Sequence, residues 1–304
     1  MKRSLIELTF YETYYFADIV KDVLGHGSDP SDLKELFGID LGEFFEDERW
    51  LGCLSPFPRF SAFHSFIRFV IDIVITDIGD NLKLDLLQDA LACFENSADT
   101  SEDEHELDPH PSKLPVNLAM EHLGIKHDSF EDWLRQTGST FLEARKQDVF
   151  DYYDYLRAAG QFDQLLDRAT AEVFFLLFQN RDVLLLFNVM MAAEVQRRAT
   201  EGITNSAAAF FARDGVLRRV AIPKWARRAV YFRDRGFCVF CHQDLTGIVN
   251  IGASENYDHV VALGRGGLND VTNLQLLCSA CNSKKRMGEP MTSSHYEAWY
   301  DVKE

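Results

Sequence analysis

Two Cys-x-x-Cys pairs, Cys238/Cys241 and Cys278/Cys281, constrain the fold of this 304-residue chain more than any other feature. A two-residue spacer lets both sulfurs of a knuckle reach one tetrahedral ion, so two such pairs predict a four-thiolate structural zinc. A module of about 70 residues builds little core, and a metal staple offsets that shortfall. Such a zinc has no open coordination position and does no chemistry itself. Between the pairs, however, lie Asp258-His259 and Asn273, and Asn282 follows Cys281 directly. A carboxylate, an imidazole and two carboxamides are the side chains that a hydrolytic metal centre draws on.

Around these residues the pattern predicts helix, knuckle, two strands and helix. Pro223 suits the first turn of a helix that bears Trp225, Ala226, Ala229 and Val230 and ends near Gly236. Residues 255–263 and 271–277 read as short strands about the turn Gly264-Arg265-Gly266-Gly267, and residues 280–287 as the closing helix. Neighbours on a regular strand face opposite sides, so Asp258 and His259 address one centre only from a strand end or a distortion.

The rest of the chain reads as mainly α. Phe60, Phe63, Ile67, Val70, Val74 and Ile78 recur at helical spacing, Leu82, Leu86 and Leu91 begin another such segment, and residues 139–201 give further Phe- and Leu-rich helices. The acidic, proline-bearing stretch around 101–111 reads as a solvated connection. The expected organisation is a helical lobe over 1–95, an acidic linker over 96–115, a second helical lobe over 116–215 and the Cys-rich module over 216–304. The first 215 residues carry 39 acidic and 19 basic side chains, the remainder 9 and 12. The helical part therefore repels nucleic acid, while the Cys-rich part is compatible with it.

Cys53 and Cys93 sit among apolar neighbours and read as buried free thiols, which suits a reducing cytoplasm. Glu7, Glu12 and Asp18 interrupt any signal-peptide core after Met1-Lys2-Arg3. Asn180-Arg181-Asp182 breaks the most apolar stretch, Val173 to Val195, which argues against a membrane span. The expected location is cytoplasmic.

Together, Arg233-Asp234-Arg235-Gly236-Phe237-Cys238-x-x-Cys241, Asp258-His259-Val260-Val261, Arg265-Gly266-Gly267, Asn273-Leu274 and Cys278-x-x-Cys281-Asn282-x-x-Lys285 resemble the HNH endonuclease family. The resemblance spans residues 220–290 and implies a two-stranded hairpin plus helix around one metal, the ββα-metal fold. It implies metal-dependent hydrolysis of DNA phosphodiester bonds, leaving a 5′-phosphate and a 3′-hydroxyl. His259 would be the general base, and Asp258 and Asn282 the ligands of one Mg²⁺ or Mn²⁺ ion. Asn273 would be structural, pinning the hairpin and orienting His259. The family's third signature position is His or Asn, and here it is Asn282. His242 departs from the Gly that relatives often carry after the second cysteine, and is expected to be a surface substitution.

The basic residues Arg218, Arg219, Lys224, Arg227, Arg228, Arg233 and Arg235 flank the first knuckle and are expected to bind phosphates, with Arg265, Lys284 and Lys285 as further candidates. The acidic helical part is expected to mediate contact with a protein partner or self-association, and to restrain or deliver the nuclease. Its fusion to this nuclease type suggests bacterial restriction or anti-phage defence by analogy. The rival expectation is a zinc-stabilised nucleic-acid-binding or scaffold protein with an inactive site. RNA as substrate in place of DNA would use the same residues.

Overall fold

A computed structural model describes residues 11–25, 39–81, 83–98, 112–247, 255–286 and 288–295. The acidic stretch 99–111, and with it most of the expected linker, lies outside the described residues, as do Leu82 and the side chain of Ile78. In chain order the helices are α1 Thr13–Gly25, α2 Leu41–Phe44, α3 Asp47–Leu54, α4 Ala62–Asn81, α5 Leu84–Ala98, α6 Pro115–His122, α7 Phe130–Thr137, α8 Lys146–Ala158, α9 Gln161–Leu177, α10 Arg181–Glu201, α11 Asn205–Ala208, α12 Lys224–Arg233 and α13 Ser279–Lys285. The strands are β1 Phe211–Arg213, β2 Val216–Leu217, β3 Glu255–His259 and β4 Leu274–Cys278, forming two antiparallel hairpins, β1-β2 and β3-β4. Among the described residues the protein is thus mostly helical, with its small sheets in the C-terminal part.

The described residues fall into two compact units. One holds Ile67–Val173 with the described parts of Met1–Val20 and Lys34–Ile39; the other holds Asp40–Phe66 and the described parts of Lys21–Leu33 and Phe174–Glu304.

In the first unit, Phe130, Leu134, Tyr152, Leu156, Phe162 and Leu165 are buried. Helix α7 starts where the Ser129 side chain accepts the Asp132 N–H and stops at Gly138, whose φ of 84° suits glycine. Tyr152 keeps its hydroxyl satisfied inside the core, donating to the Asp128 carbonyl at 2.6 Å and accepting from Asn117 Nδ2 at 2.7 Å.

The second unit carries the Cys-rich module, and it also recruits sequence from far upstream. Phe63 and Phe66, at the start of α4, pack on Phe187 of α10 with ring centroids 4.8 and 5.6 Å apart, and Phe44 joins at 5.2 Å from Phe66. Phe63, Ile67, Val70 and Val74 are buried as the stripe predicts, whereas Phe60 precedes the helix and is 48% exposed. Similarly, Leu84 and Leu91 bury in α5 while Leu86 faces out. Cys53 is a buried free thiol, but Cys93 is exposed, because it falls on the outer face of α5.

The apolar stretch from Val173 to Val195 is two helices, not one. Asn180 Oδ1 accepts the N–H groups of Asp182 and Val183 and so starts α10 afresh. No single described helix is long and apolar enough to cross a membrane.

The loop 263–273 is where α10 and residues 57–62 meet the module. The Phe57 N–H donates to the Asn269 carbonyl at 2.7 Å, and the Ala62 N–H donates to Asp270 Oδ2 at 3.0 Å. Asn188 on α10 reaches Thr272 Oγ1. A Cβ on Gly266 would lie 2.8 Å from the Ala192 carbonyl, and one on Gly267 would lie 1.9 Å from the Val261 carbonyl. Those contacts, together with a φ of 87° at Gly266, explain the two glycines.

The hairpin strands are shorter than predicted. Residues 260–263 and 271–273 look strand-like by composition, but the Asn273 side chain captures the backbone of Val261 and turns both ends into a loop with two 3₁₀ turns. Helix α12 begins after Pro223, which stands as its N-cap and not within its first turn.

Candidate functional site

The β3-β4 hairpin aligns Asp258 with Gln275 and His259 with Leu274. Helix α13 packs on both strands and α12 on β4. Opposed residues of an antiparallel pair share a face. Asp258 and Gln275 accordingly bond on one face, with Gln275 Nε2 3.2 Å from Asp258 Oδ2. Tyr257 and His259, one residue off, leave the other face. His259 is the last residue of β3, so the pair stands at a strand end with the pleat still regular.

The four cysteines converge. Their sulfurs all lie within 4.8 Å of one another, and Cys241 Sγ is 3.7 Å from Cys278 Sγ. A tetrahedral zinc with bonds of about 2.3 Å spaces its thiolates by about 3.8 Å, so the donor set fits a structural zinc. Cys278 caps the start of α13, its sulfur accepting the Cys281 N–H. On the other side, the Cys238 N–H donates to Gln243 and the His242 N–H returns to the Cys238 carbonyl. His242 has a φ of 58°, a backbone conformation that favours glycine, and its ring stands edge-on to that of His295 at 4.9 Å.

Lys285 is the side chain that ties the hairpin to α13. It is buried, and its Nζ lies 2.7 Å from Asp258 Oδ2 and 2.5 Å from the His259 carbonyl. Asn282 precedes it by three residues on α13 and therefore shares its face. With Oδ2 held by Lys285 and Gln275, Asp258 Oδ1 is the oxygen left for a cation. One carboxylate oxygen and one carboxamide suit a hard divalent ion that retains waters.

His259 is only 5% exposed. Its Nε2 is buried with no hydrogen-bond partner among the described residues, and the same holds for Asn269 Oδ1. Burial, followed by the charges of Arg219 and Lys285, pulls the imidazole down to about 4, while the adjacent Asn269 side chain pulls it up. The Asn269 amide nitrogen is committed to the Arg218 carbonyl at 2.8 Å, so its oxygen is the atom turned to accept. Asn273 is fully buried, taking the Val261 N–H on Oδ1 and donating from Nδ2 to the carbonyls of Val261 and Leu268.

The expected phosphate-binding residues divide into two groups. Arg218, Arg219, Lys224, Arg227, Arg228, Arg235 and Lys284 are on the exposed surface, as is Arg265, which forms a bidentate pair with Glu289. Arg233 and Lys285 are not available to phosphate. Both nitrogens of the Arg233 fork meet Asp234 at 2.9 Å with the two side chains 1% exposed. Arg233 also donates to the Leu274 carbonyl, and Asp234 accepts the Leu276 N–H, so the pair clasps α12 to β4. Lys285 is withdrawn by its ammonium contacts with Asp258 and His259.

Sequence reasoning passed over Asn269, Gln275 and Asp270. Asp270 is entirely buried, which raises its carboxyl, and it accepts from the Thr272 N–H and hydroxyl and from Ala62. The run Asn269-Asp270-x-Thr272, with a cap-type Asp two residues before a Thr, was the available signal for a side-chain-closed turn.

A hairpin clasped by two helices, with four convergent thiols at its base and a half-buried Asp258 beside a buried His259 at its tip, defines a small zinc-type ββα module. Residues 238–287 match the family described as HNH endonuclease. No curated protein and no solved structure matches the chain.

Proposed function

We propose that the protein is a metal-dependent endonuclease that hydrolyses DNA phosphodiester bonds at the tip of the β3-β4 hairpin. The observation that carries this reading is His259, buried beside Asp258 in the HNH-matching segment, with a ring nitrogen that finds no partner among the described residues. Buried polar atoms are nearly always paired, and exceptions concentrate where an external partner is handled.

Asp258 and Asn282 would hold one Mg²⁺ or Mn²⁺ ion, which would supply Lewis-acid stabilisation of charge on the phosphoryl and leaving oxygens. Lys285 and Gln275 fix the Asp258 carboxylate. Asn269 stands beside the His259 ring and helps to hold it in place. Asn273 holds the Val261 backbone and so sets where His259 stands at the strand end. His259 takes a proton from the attacking water, whose oxygen bonds to phosphorus as the 3′-oxygen departs and is protonated by solvent. A low pKa keeps the imidazole unprotonated at neutral pH.

Residues 1–215 carry the excess of acidic charge, and we infer that they restrain the nuclease or deliver it through a protein partner or self-association. A cytoplasmic role in restriction or anti-phage defence accords with that arrangement, and RNA remains an alternative substrate of the same site. The test is cleavage of supercoiled plasmid with Mg²⁺, with Mn²⁺ and without either, against an Asp258→Asn variant. Metal-dependent cutting by the parent alone is the expected result.

A second reading, a zinc-stabilised binding or scaffold protein with an inactive site, has one observation in its favour. His259 Nε2 is sealed from solvent and a lysine occupies the Asp258 carboxylate. Metal-independent DNA binding without cleavage in that assay selects it.

A further inference from the structure

A second polar site opens beside the Asp-His pair. Lys224, Arg227, Arg228 and Tyr231 of α12, with Leu245, Thr246, Glu255 and Tyr257, enclose a cleft of about 670 Å³. Residues 224, 227, 228 and 231 recur at three- and four-residue steps and form one stripe on α12. Tyr257 lies two residues before His259 on β3 and leaves the same face, so the cleft begins about 7 Å from the base along the strand. That is one backbone step of an extended nucleic-acid strand.

The two aromatic rings are held in place. The Tyr257 hydroxyl donates to Glu255 Oε2 at 2.7 Å. Tyr231 packs so close to Gly236 that a Cβ there would lie 2.9 Å from its hydroxyl oxygen. Phosphates need only the three cations, and a paired duplex offers a cleft little else, because its bases face inward. Two tyrosines inside a basic cleft match a ligand that presents a flat apolar face together with its phosphate. Among the described residues, Glu255 is the only carboxylate in the lining, and the Tyr257 hydroxyl engages it.

We propose that this cleft is a subsite for an unpaired nucleotide of DNA next to the scissile phosphate. Tyr231 and Tyr257 contact the base, and Lys224, Arg227 and Arg228 contact the flanking phosphates. The preferred substrate is then a single strand, a flap or a locally opened duplex, in preference to an intact one. The proposal takes its direction from the nuclease reading, since the cleft leads to His259, but binding in it requires no cleavage.

The experiment measures fluorescence anisotropy of full-length, zinc-loaded protein without added divalent metal. The probes are a labelled 12-nucleotide DNA strand, the same strand with all bases removed, and the corresponding blunt duplex. The base-bearing strand is expected to bind about tenfold tighter than the abasic one. A Tyr231→Leu/Tyr257→Leu variant, checked for an unchanged melting temperature, is expected to erase that difference while retaining the salt dependence. Equal binding of the base-bearing and abasic strands overturns the proposal, as does a preference that survives in a folded double variant. If the double variant does not fold, Tyr257→Leu alone is read the same way. Stacking preference in a protein that never cleaves keeps the subsite and sinks the nuclease; cleavage with indifference to bases does the reverse.

Discussion

Lys285 Nζ lies 2.7 Å from Asp258 Oδ2, and the two side chains are 2% and 15% exposed. A lysine in a helix matching the family's closing motif is thereby an internal strut, not a contact for DNA. Lys285→Met leaves a largely desolvated carboxylate unpaired, and the expected cost is about 3 kcal/mol of stability, read from urea unfolding. The double variant Lys285→Met/Asp258→Asn is expected to recover most of that loss while staying inactive. Equal stability of parent and single variant would show that the pair contributes nothing.

Arg233 and Arg227 are two arginines on one helix with opposite expected phenotypes. Arg233→Ala breaks the buried clasp with Asp234 and should lower stability by about 3–5 kcal/mol. Arg227→Ala and Arg228→Ala should leave the melting temperature unchanged. Each should weaken DNA binding and reduce the slope of log affinity against log salt by about 1. Calorimetry and a salt titration together separate the two classes.

Zinc analysis of the purified protein should return one zinc per chain. Removal with a strong chelator, or Cys241→Ser, should unfold the module, because the metal ties the knuckle to the end of β4 and the start of α13 in a module with little core of its own. Loss of the metal with unchanged protease resistance across residues 220–290 would contradict a structural role.

His64 gives the second unit a pH dependence independent of the metal sites. Its ring stacks on Phe174 at 3.5 Å, its Nδ1 accepts the Ser61 N–H, and burial lowers it from 6.5 to about 4. The unfolded chain therefore binds the proton more readily than the folded one. The stability associated with the neutral ring is complete above about pH 6.5 and declines as pH falls toward about 4. The urea midpoint of the parent should drop between pH 7 and pH 5, and that of His64→Gln should drop less.

Local chemistry made half of the site legible. The Cys-x-x-Cys pairs are short-range patterns whose spacing predicts a shared metal, and the four sulfurs converge as that spacing requires; the expected tasks of Asp258, His259, Asn273 and Asn282 came from the family resemblance alone. The β3-β4 hairpin and α13 follow from apolar runs and turn residues. The roles of Arg233 and Lys285 were not readable, because a basic residue before a cysteine knuckle or in a closing helix looks the same whether it faces DNA or a buried carboxylate. Composition likewise gave no hint that Phe57 and Ala62 bond to Asn269 and Asp270, since pairings across some 200 residues of sequence leave no local period. Val260-Val261 looked like strand for a related reason: the side chain that bends them away, Asn273, lies twelve residues on.

The central claim is that His259 is the base of a metal-dependent nuclease, and the most direct measurement is the nicking rate of supercoiled plasmid by the parent and by His259→Ala in Mn²⁺, at matched zinc content and melting temperature. The account predicts nicking and linearisation by the parent and a loss of at least a hundredfold in the variant. Equal cutting by both proteins would contradict it.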